Sequence, residues 1–329
     1  MDELDDVARA ALEGDLEGVS RALVRRAGDK LAAGKLDAAA DDLASAADLH
    51  ERGGRLLDAS RCNQARATTL RALGQLEASV DCALRARALA PADSPLRVSA
   101  CTELGEGYLS SGRMTEAIEA YQGAVACGAA IGLLPVAQAA IVRRIAMARS
   151  MLGDHLGAAS AARDAAALFA QAGETGGASA ARVEAATALV AAGLGGPATQ
   201  AIAEARAGAG GDPAALADLE LLETARAMAA DRLDDSLAHA RHARAYALEA
   251  GAVLQYTGAA FAIAELLDRR GDRAGAYDSL AVGWVTAGDR IGEPHAAALF
   301  RPKLEELRAR WGVAAFDAVK TAYYASRRS

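Results

Sequence analysis

The stretch Leu104-Gly105-Glu106-Gly107-Tyr108-Leu109-Ser110-Ser111-Gly112-Arg113-Met114-Thr115-Glu116-Ala117-Ile118-Glu119-Ala120-Tyr121-Gln122-Gly123-Ala124 carries a complete fold signal. Leu104 and Tyr108 stand four residues apart, and Ala117, Tyr121 and Ala124 follow at spacings of four and three, as on one face of a helix. Between the two runs lies Ser111-Gly112-Arg113, with glycine where a helix ends in a left-handed residue. The stretch therefore reads as helix, tight turn, helix.

The same punctuation recurs along the chain at Gly34, Gly74, Gly112, Gly153, Gly193, Asp231 and Gly271, with spacings of 40, 38, 41, 40, 38 and 40. A second series of breaks lies between them: Gly53-Gly54, Pro91 to Pro95, Gly128 to Pro135, Gly173 to Gly177, Gly208 to Pro213, Gly251, and Gly288 to Pro294. Each interval of about 15 to 18 residues reads as one helix. A period near 40 with two helices per unit predicts an α-solenoid.

Three positions are small in every unit. Seven before each turn marker stand Ala27, Ala67, Gly105, Ala146, Ala186, Thr224 and Ala264. Five after it stand Ala39, Ser79, Ala117, Ala158, Ala198, Ser236 and Ala276, and twelve after it Ala46, Ala86, Ala124, Ala165, Ala205, Ala243 and Gly283. Before discounting the choice of offsets, random placement of small residues would give this roughly once in ten million trials. Two helices of a pair approach closely only where neither carries bulk. Positions four before the marker and nine after it, occupied in the third unit by Tyr108 and Tyr121, are looser.

This pattern resembles the tetratricopeptide repeat, most fully in the third unit through Leu104-Gly105, Tyr108, Gly112-Arg113, Glu116-Ala117, Tyr121 and Ala124. In the second unit Pro91 also falls where that family ends its second helix. The units here are about six residues longer than the usual repeat of about 34. The resemblance spans about residues 20 to 290 and implies an all-α, right-handed α-solenoid of seven such repeats. The expected organisation is an acidic N-terminal capping helix over 1–19, the solenoid over 20–294 and C-terminal capping helices over 295–329.

Composition agrees. The chain has 329 residues, 89 of them alanine, and only 4% aromatic, which favours helix over sheet. At 52% apolar and 24% charged it is not disordered. A net charge of −7 without a basic stripe argues against nucleic-acid binding. The opening Met1-Asp2-Glu3-Leu4-Asp5-Asp6 does not read as a signal peptide. The uncharged run from Ala120 to Val142 is broken by Gly123, Gly128, Gly132 and Pro135, so it reads as helix end, turn and helix start rather than a membrane span. Cys62, Cys82, Cys101 and Cys127 have no close-spaced pair and read as small buried hydrophobes in a reduced cytoplasm.

The two ends differ. The head carries Asp2, Glu3, Asp5, Asp6, Glu13, Asp15 and Glu17 against Arg9, a net of −6, and reads as a solvated cap. Ten of the 13 aromatics lie at or after Tyr246, and from Arg301 onward seven basic residues face three acidic ones. Helices from about Pro294 to Arg310 and from Ala314 to Ala325 are expected there, with a turn at Trp311-Gly312. Capping explains most of this, and aromatic and arginine enrichment also suits a partner surface. An acidic head and basic tail allow self-association.

No catalytic constellation is found, and no cofactor is expected. G-x-x-x-x-G-K-[ST], G-x-S-x-G and H-E-x-x-H are absent from the sequence. Gly208-Ala209-Gly210-Gly211 follows a predicted helix and leads into Asp212-Pro213, so a plain connecting loop is favoured over a phosphate loop. His239 and His242 share a helix face and can hold a metal with Asp235, but no motif fixes further ligands; a solvated polar face is preferred and no metal site is assigned. His50, His155 and His295 fall in or near predicted turns.

The expected function is therefore non-catalytic: a protein-interaction scaffold or adaptor that takes a segment of another protein, or a peptide. The resemblance implies that the first helix of each pair lines the concave face. Projected onto this sequence, it gives Gln64, Thr68 and Arg71; Thr102, Glu106 and Leu109; Arg143, Met147 and Ser150; Val183, Thr187 and Val190; and Leu221, Ala225 and Met228. Arg71 and Arg143, with Arg144 beside it, suit carboxylates, and Gln64 and Thr68 suit a peptide backbone. The aromatic C-terminal end is the other candidate surface. A peptide-responsive regulatory sensor, acting on an effector supplied by another chain, is the alternative; the absence of a recognisable effector domain in the sequence favours the scaffold.

Overall fold

The structure, a computed structural model, describes residues 3–12 and 14–327. Asp2 and Glu13 of the acidic head and Arg328 of the basic tail lie outside them. Among the described residues there are 17 helices and no strand. They fall into two compact units, residues 1–174 and 175–329.

The first unit opens with α1 (Glu3–Leu12), followed by four helical hairpins. These are α2 (Leu16–Ala32) with α3 (Leu36–Arg52), α4 (Leu56–Ala72) with α5 (Leu76–Leu89), α6 (Pro95–Ser110) with α7 (Met114–Ala130), and α8 (Pro135–Met151) with α9 (His155–Gln171). The second unit holds three more: α10 (Thr175–Ala191) with α11 (Gly195–Gly208), α12 (Pro213–Ala229) with α13 (Leu233–Ala250), and α14 (Val253–Arg269) with α15 (Arg273–Ile291). Then α16 (Glu293–Trp311) packs on α15, and α17 (Val313–Ser326) packs on both.

Seven hairpins with a turn at each sequence marker make this an all-α solenoid fold. The break read between Ala120 and Val142 is the connection from α7 to α8, and the Gly208–Gly211 run is the connection from α11 to α12. The C-terminal pair matches its expected limits within a residue or so, with Gly312 at the turn. No helix among the described residues is long and apolar enough to cross a membrane.

Every one of the 21 small positions is buried. Two kinds of substitution show why they must be small. Where glycine replaces alanine, an aromatic ring occupies the freed space: a Cβ on Gly105 would lie 2.5 Å from the Tyr121 ring, and one on Gly283 would lie 2.7 Å from Phe300. Where serine replaces alanine, its hydroxyl crosses the hairpin to bond the opposite backbone. Ser79 Oγ donates to the Ala67 carbonyl at 2.7 Å, and Ser236 Oγ donates to the Thr224 carbonyl at 2.9 Å. In both, the donor is five after the marker and the acceptor seven before it. The hydroxyl is thus buried without an unpaired group.

The hairpin turns share one geometry. Six of the seven markers are glycines with φ between +70° and +84°, in the left-handed region that closes a helix. In the third hairpin Arg113 N–H bonds the Tyr108 carbonyl at 2.9 Å, which ties down the end of α6. The seventh marker is Asp231, the only non-glycine with positive φ among the described residues, at +54°.

Two stability changes follow. Asp231→Gly should raise the stability of the second unit by about 0.5–1 kcal/mol, by removing the side-chain penalty in that region. Gly105→Val should lower the stability of the first unit by about 1–3 kcal/mol, by driving a branched side chain into the Tyr121 ring. Urea denaturation followed by circular dichroism reads both.

Candidate functional site

The first helices of neighbouring pairs also touch one another. Helix α4 packs on α6 in the first unit, and α10 on α12 and α12 on α14 in the second. These first helices carry the residues projected from the sequence, and side chains lace them together in the first unit. Ser99 Oγ of α6 donates to Gln64 Oε1 of α4 at 2.7 Å. Arg71 Nη2 donates to Glu103 Oε1 at 3.1 Å, and Arg144 Nε meets Glu106 Oε1 at 3.0 Å, joining α8 to α6.

Gln64, Arg71 and Glu106 are thus brought into one ladder of contacts between successive repeats. Sequence reasoning missed Glu103, the acid that engages Arg71, because it lies 32 residues further along the chain. The threonines turn back on their own helices: Thr68 Oγ1 donates to the Gln64 carbonyl, Thr102 to Val98 and Thr187 to Val183. Thr187 belongs to α10, in the second unit. Arg143 is half-buried, whereas Met147 and Ser150 are exposed.

The second unit offers a different surface. A cleft of about 380 Å³ opens between α12, α14 and α16. Met228, Phe261 and Leu307 supply its apolar floor, and Glu265, Arg269, Lys303, Glu306 and Arg310 supply charge of both signs around it. Met228 is the one residue here that the sequence projection named. Internal partners hold the charged rim in place. Arg310 Nη1 donates to Glu265 Oε2 at 3.0 Å and to Asp268 Oδ2 at 2.6 Å, and Lys303 Nζ donates to Glu306 Oε2 at 2.7 Å.

Most of the late aromatics are spent on packing this end. Phe300, Trp311, Phe316 and Tyr277 are buried in one core cluster. Phe261 meets Phe300 edge to face at 5.0 Å between ring centres, and Trp311 Nε1 donates to Asp268 Oδ1 at 2.6 Å. Phe261 alone among these five rings lines the cleft.

Two buried carboxylates organise hairpins. Asp42 of α3 accepts both a bidentate pair from Arg26 of α2, at 2.8 and 2.6 Å, and Lys30 Nζ at 2.6 Å. Glu220 of α12 accepts from Arg206 of α11 on Oε1 at 2.8 Å, and its Oε2 lies 2.7 Å from His239 Nδ1 of α13. The His242 Nδ1 is 3.9 Å from the same oxygen. The acid beside the histidine pair is thus Glu220, whereas Asp235 is held by Arg232 at 2.8 Å. Nothing in the sequence spacing marks Glu220, because it comes from the preceding helix.

Burial on its own pushes the carboxyls of Asp42 and Glu220 up, but hydrogen bonds and charge from their cationic partners outweigh it, so both titrate below their ordinary values. The thiols of Cys62, Cys82 and Cys101 are buried and pushed up by burial, Cys62 to about 11, which leaves them protonated and unreactive at neutral pH. Cys127 is half-buried.

Solved structures share this architecture at low sequence identity. A signal-transduction ATPase with numerous domains from Pyrococcus horikoshii, which carries a tetratricopeptide repeat sensor, matches with a TM-score of 0.60 at 13% identity, over 87% of this chain and 44% of that one. A tetratricopeptide repeat protein from Parabacteroides merdae matches at 0.55 and 11% identity, over 86% of this chain and 97% of that one. Aspartyl phosphate phosphatase F from Bacillus subtilis matches at 0.52 and 14% identity, over 88% and 74%. No family profile and no curated protein matches the sequence. The likenesses establish the fold, a solenoid of tetratricopeptide-like hairpins.

The carboxylates give a pH signature. A carboxyl whose folded value is depressed stabilises fully above its unfolded value, and that contribution is lost as pH falls toward the folded value. With ordinary values of 3.8 for Asp42 and 4.5 for Glu220, stability should decline as pH drops below about 4.5. Denaturant titrations at pH 7 and about pH 3 should show a smaller decline in Asp42→Asn and Glu220→Gln than in the parent chain.

Proposed function

We propose that this protein is a non-catalytic interaction scaffold or adaptor that binds a segment of a partner protein through the first helices of its repeats, chiefly in the α12–α14–α16 cleft of the second unit. The observation that carries this reading is the cleft itself: an apolar floor at Met228, Phe261 and Leu307 inside a rim of mixed charge. An apolar floor takes an apolar anchor side chain, and fixed charges of both signs set the register of a polypeptide around it. The first unit offers a separate candidate surface at Gln64, Thr68, Arg71, Thr102, Glu106, Arg143, Met147 and Ser150, and Thr187 is a further candidate in the second. In the first unit Arg71 and Arg144 already hold Glu103 and Glu106 of this chain, so a partner acid binds by sharing them. The partner in this reading is a protein or peptide, consistent with the net charge of −7, which does not favour nucleic acid. The proposed location is the cytoplasm. The proposed organisation keeps a capping helix before the repeats and capping helices over 295–329.

A second reading, a peptide-responsive regulatory subunit acting on an effector supplied by another chain, draws on the likeness to the P. horikoshii protein with its repeat-built sensor. In a solenoid each repeat leans on its neighbours alone, so a bound peptide can change the pitch. Small-angle scattering that shifts on adding a short peptide supports this reading over the scaffold.

Affinity capture from the native host, followed by mass spectrometry, should return a stoichiometric protein partner. With that partner, Met228→Glu combined with Lys303→Glu should weaken binding at least about tenfold while circular dichroism stays unchanged. Loss of binding in Arg71→Glu/Arg143→Glu alone places the main contact in the first unit instead.

A further inference from the structure

Glu220, His239 and His242 lie outside the cleft and take no part in the proposed function. Each offers one ligand atom, and the three atoms lie within 4.8 Å of one another. We infer that they form a site for a borderline divalent transition metal, with Zn²⁺ the natural occupant, that staples α12 to α13.

Geometry and donor chemistry both support the assignment. Two imidazoles and a carboxylate are a donor set that zinc takes, with water completing a tetrahedron. Ligand atoms about 2.0–2.1 Å from a tetrahedral zinc stand about 3.3 Å apart. The two distances from Glu220 Oε2, 2.7 Å to His239 Nδ1 and 3.9 Å to His242 Nδ1, bracket that edge. With all three ligand atoms within 4.8 Å of one another, side-chain shifts of about 1–1.5 Å bring them onto one ion.

The histidines are three residues apart on α13 and so share a face. The surroundings divide the work. Glu220 is only 6% exposed, and Arg206 fixes its other oxygen, which leaves Oε2 aimed at the imidazoles. That is the outer-shell arrangement that orients a ligating carboxylate. The His242 side chain is 66% exposed, so the fourth position is open to water and an ion can enter from solvent. The metal replaces the direct contact between His239 Nδ1 and Glu220 Oε2. The guanidinium of Arg206 opposes the added positive charge, so binding is weaker than at a thiolate site.

Zinc titration of the purified chain by isothermal calorimetry, after stripping with a chelator, tests this directly. One Zn²⁺ per chain is expected, with a rise in the thermal midpoint on saturation. His242→Gln, a change at an exposed side chain, should weaken binding at least about tenfold, and His239→Gln/His242→Gln should abolish the event. Cobalt(II) substitution should give a four-coordinate spectrum without a thiolate charge-transfer band. Absence of binding overturns the site, as does binding that persists in the double variant or a cobalt spectrum with sulfur ligation, either of which would place the metal elsewhere, for example on the cysteines.

Discussion

Close approach of helix backbones is the constraint on which the structure depends. Long helices carrying few bulky side chains can bury a core only by coming near one another, and they come near only where both surfaces are small. The chain meets this at the same three positions in each of seven hairpins, all of them buried. Alanine is well suited to the task because it adds helix propensity and loses no side-chain entropy on burial. Its abundance is in good part architectural.

The exceptions obey the same rule. Gly105 and Gly283 leave space that Tyr121 and Phe300 fill, so volume is conserved across the crossing. Ser79 and Ser236 bring a polar atom into the crossing, and each finds the carbonyl of the facing helix. Larger polar groups are placed between helices, where cations can reach them. Asp42 ties its hairpin through two cations, and Glu220 joins His239 of its own hairpin to Arg206 of the preceding one. Such groups contribute to specificity of packing more than to net stability, since their desolvation offsets most of the attraction.

The fold was legible in the sequence because its signal is periodic. A turn residue every 40 or so positions and small residues at fixed offsets from it can be read without knowing any contact. The site was legible only in part, and the residues show why. Projection along single helices placed Gln64, Thr68, Arg71, Thr102, Glu106 and Met228, but not what faces them. Glu103 reaches Arg71 from the next repeat, and Glu220 reaches His239 from the preceding helix. The cleft is assembled from three helices spread over Met228 to Arg310. Contacts one repeat apart depend on how hairpins stack, and spacing within a helix carries no record of that. The late aromatics, read chiefly as a cap and also as suited to a partner surface, divide accordingly: Phe300, Trp311 and Phe316 are core, and Phe261 lines the cleft.

The resulting account separates two roles along the chain. In the first unit, side-chain bridges join successive first helices through Gln64–Ser99, Arg71–Glu103 and Glu106–Arg144. In the second, α12 and α14 pack on each other and, with α16, line an apolar cleft with a charged rim. Hydrogen-exchange mass spectrometry of the chain with and without its captured partner tests this most directly. Protection is predicted on the first helices of the hairpins, strongest over the segments of α12, α14 and α16 that carry Met228, Phe261 and Leu307. Protection confined to the second helices of the hairpins, α11, α13 and α15, would contradict it.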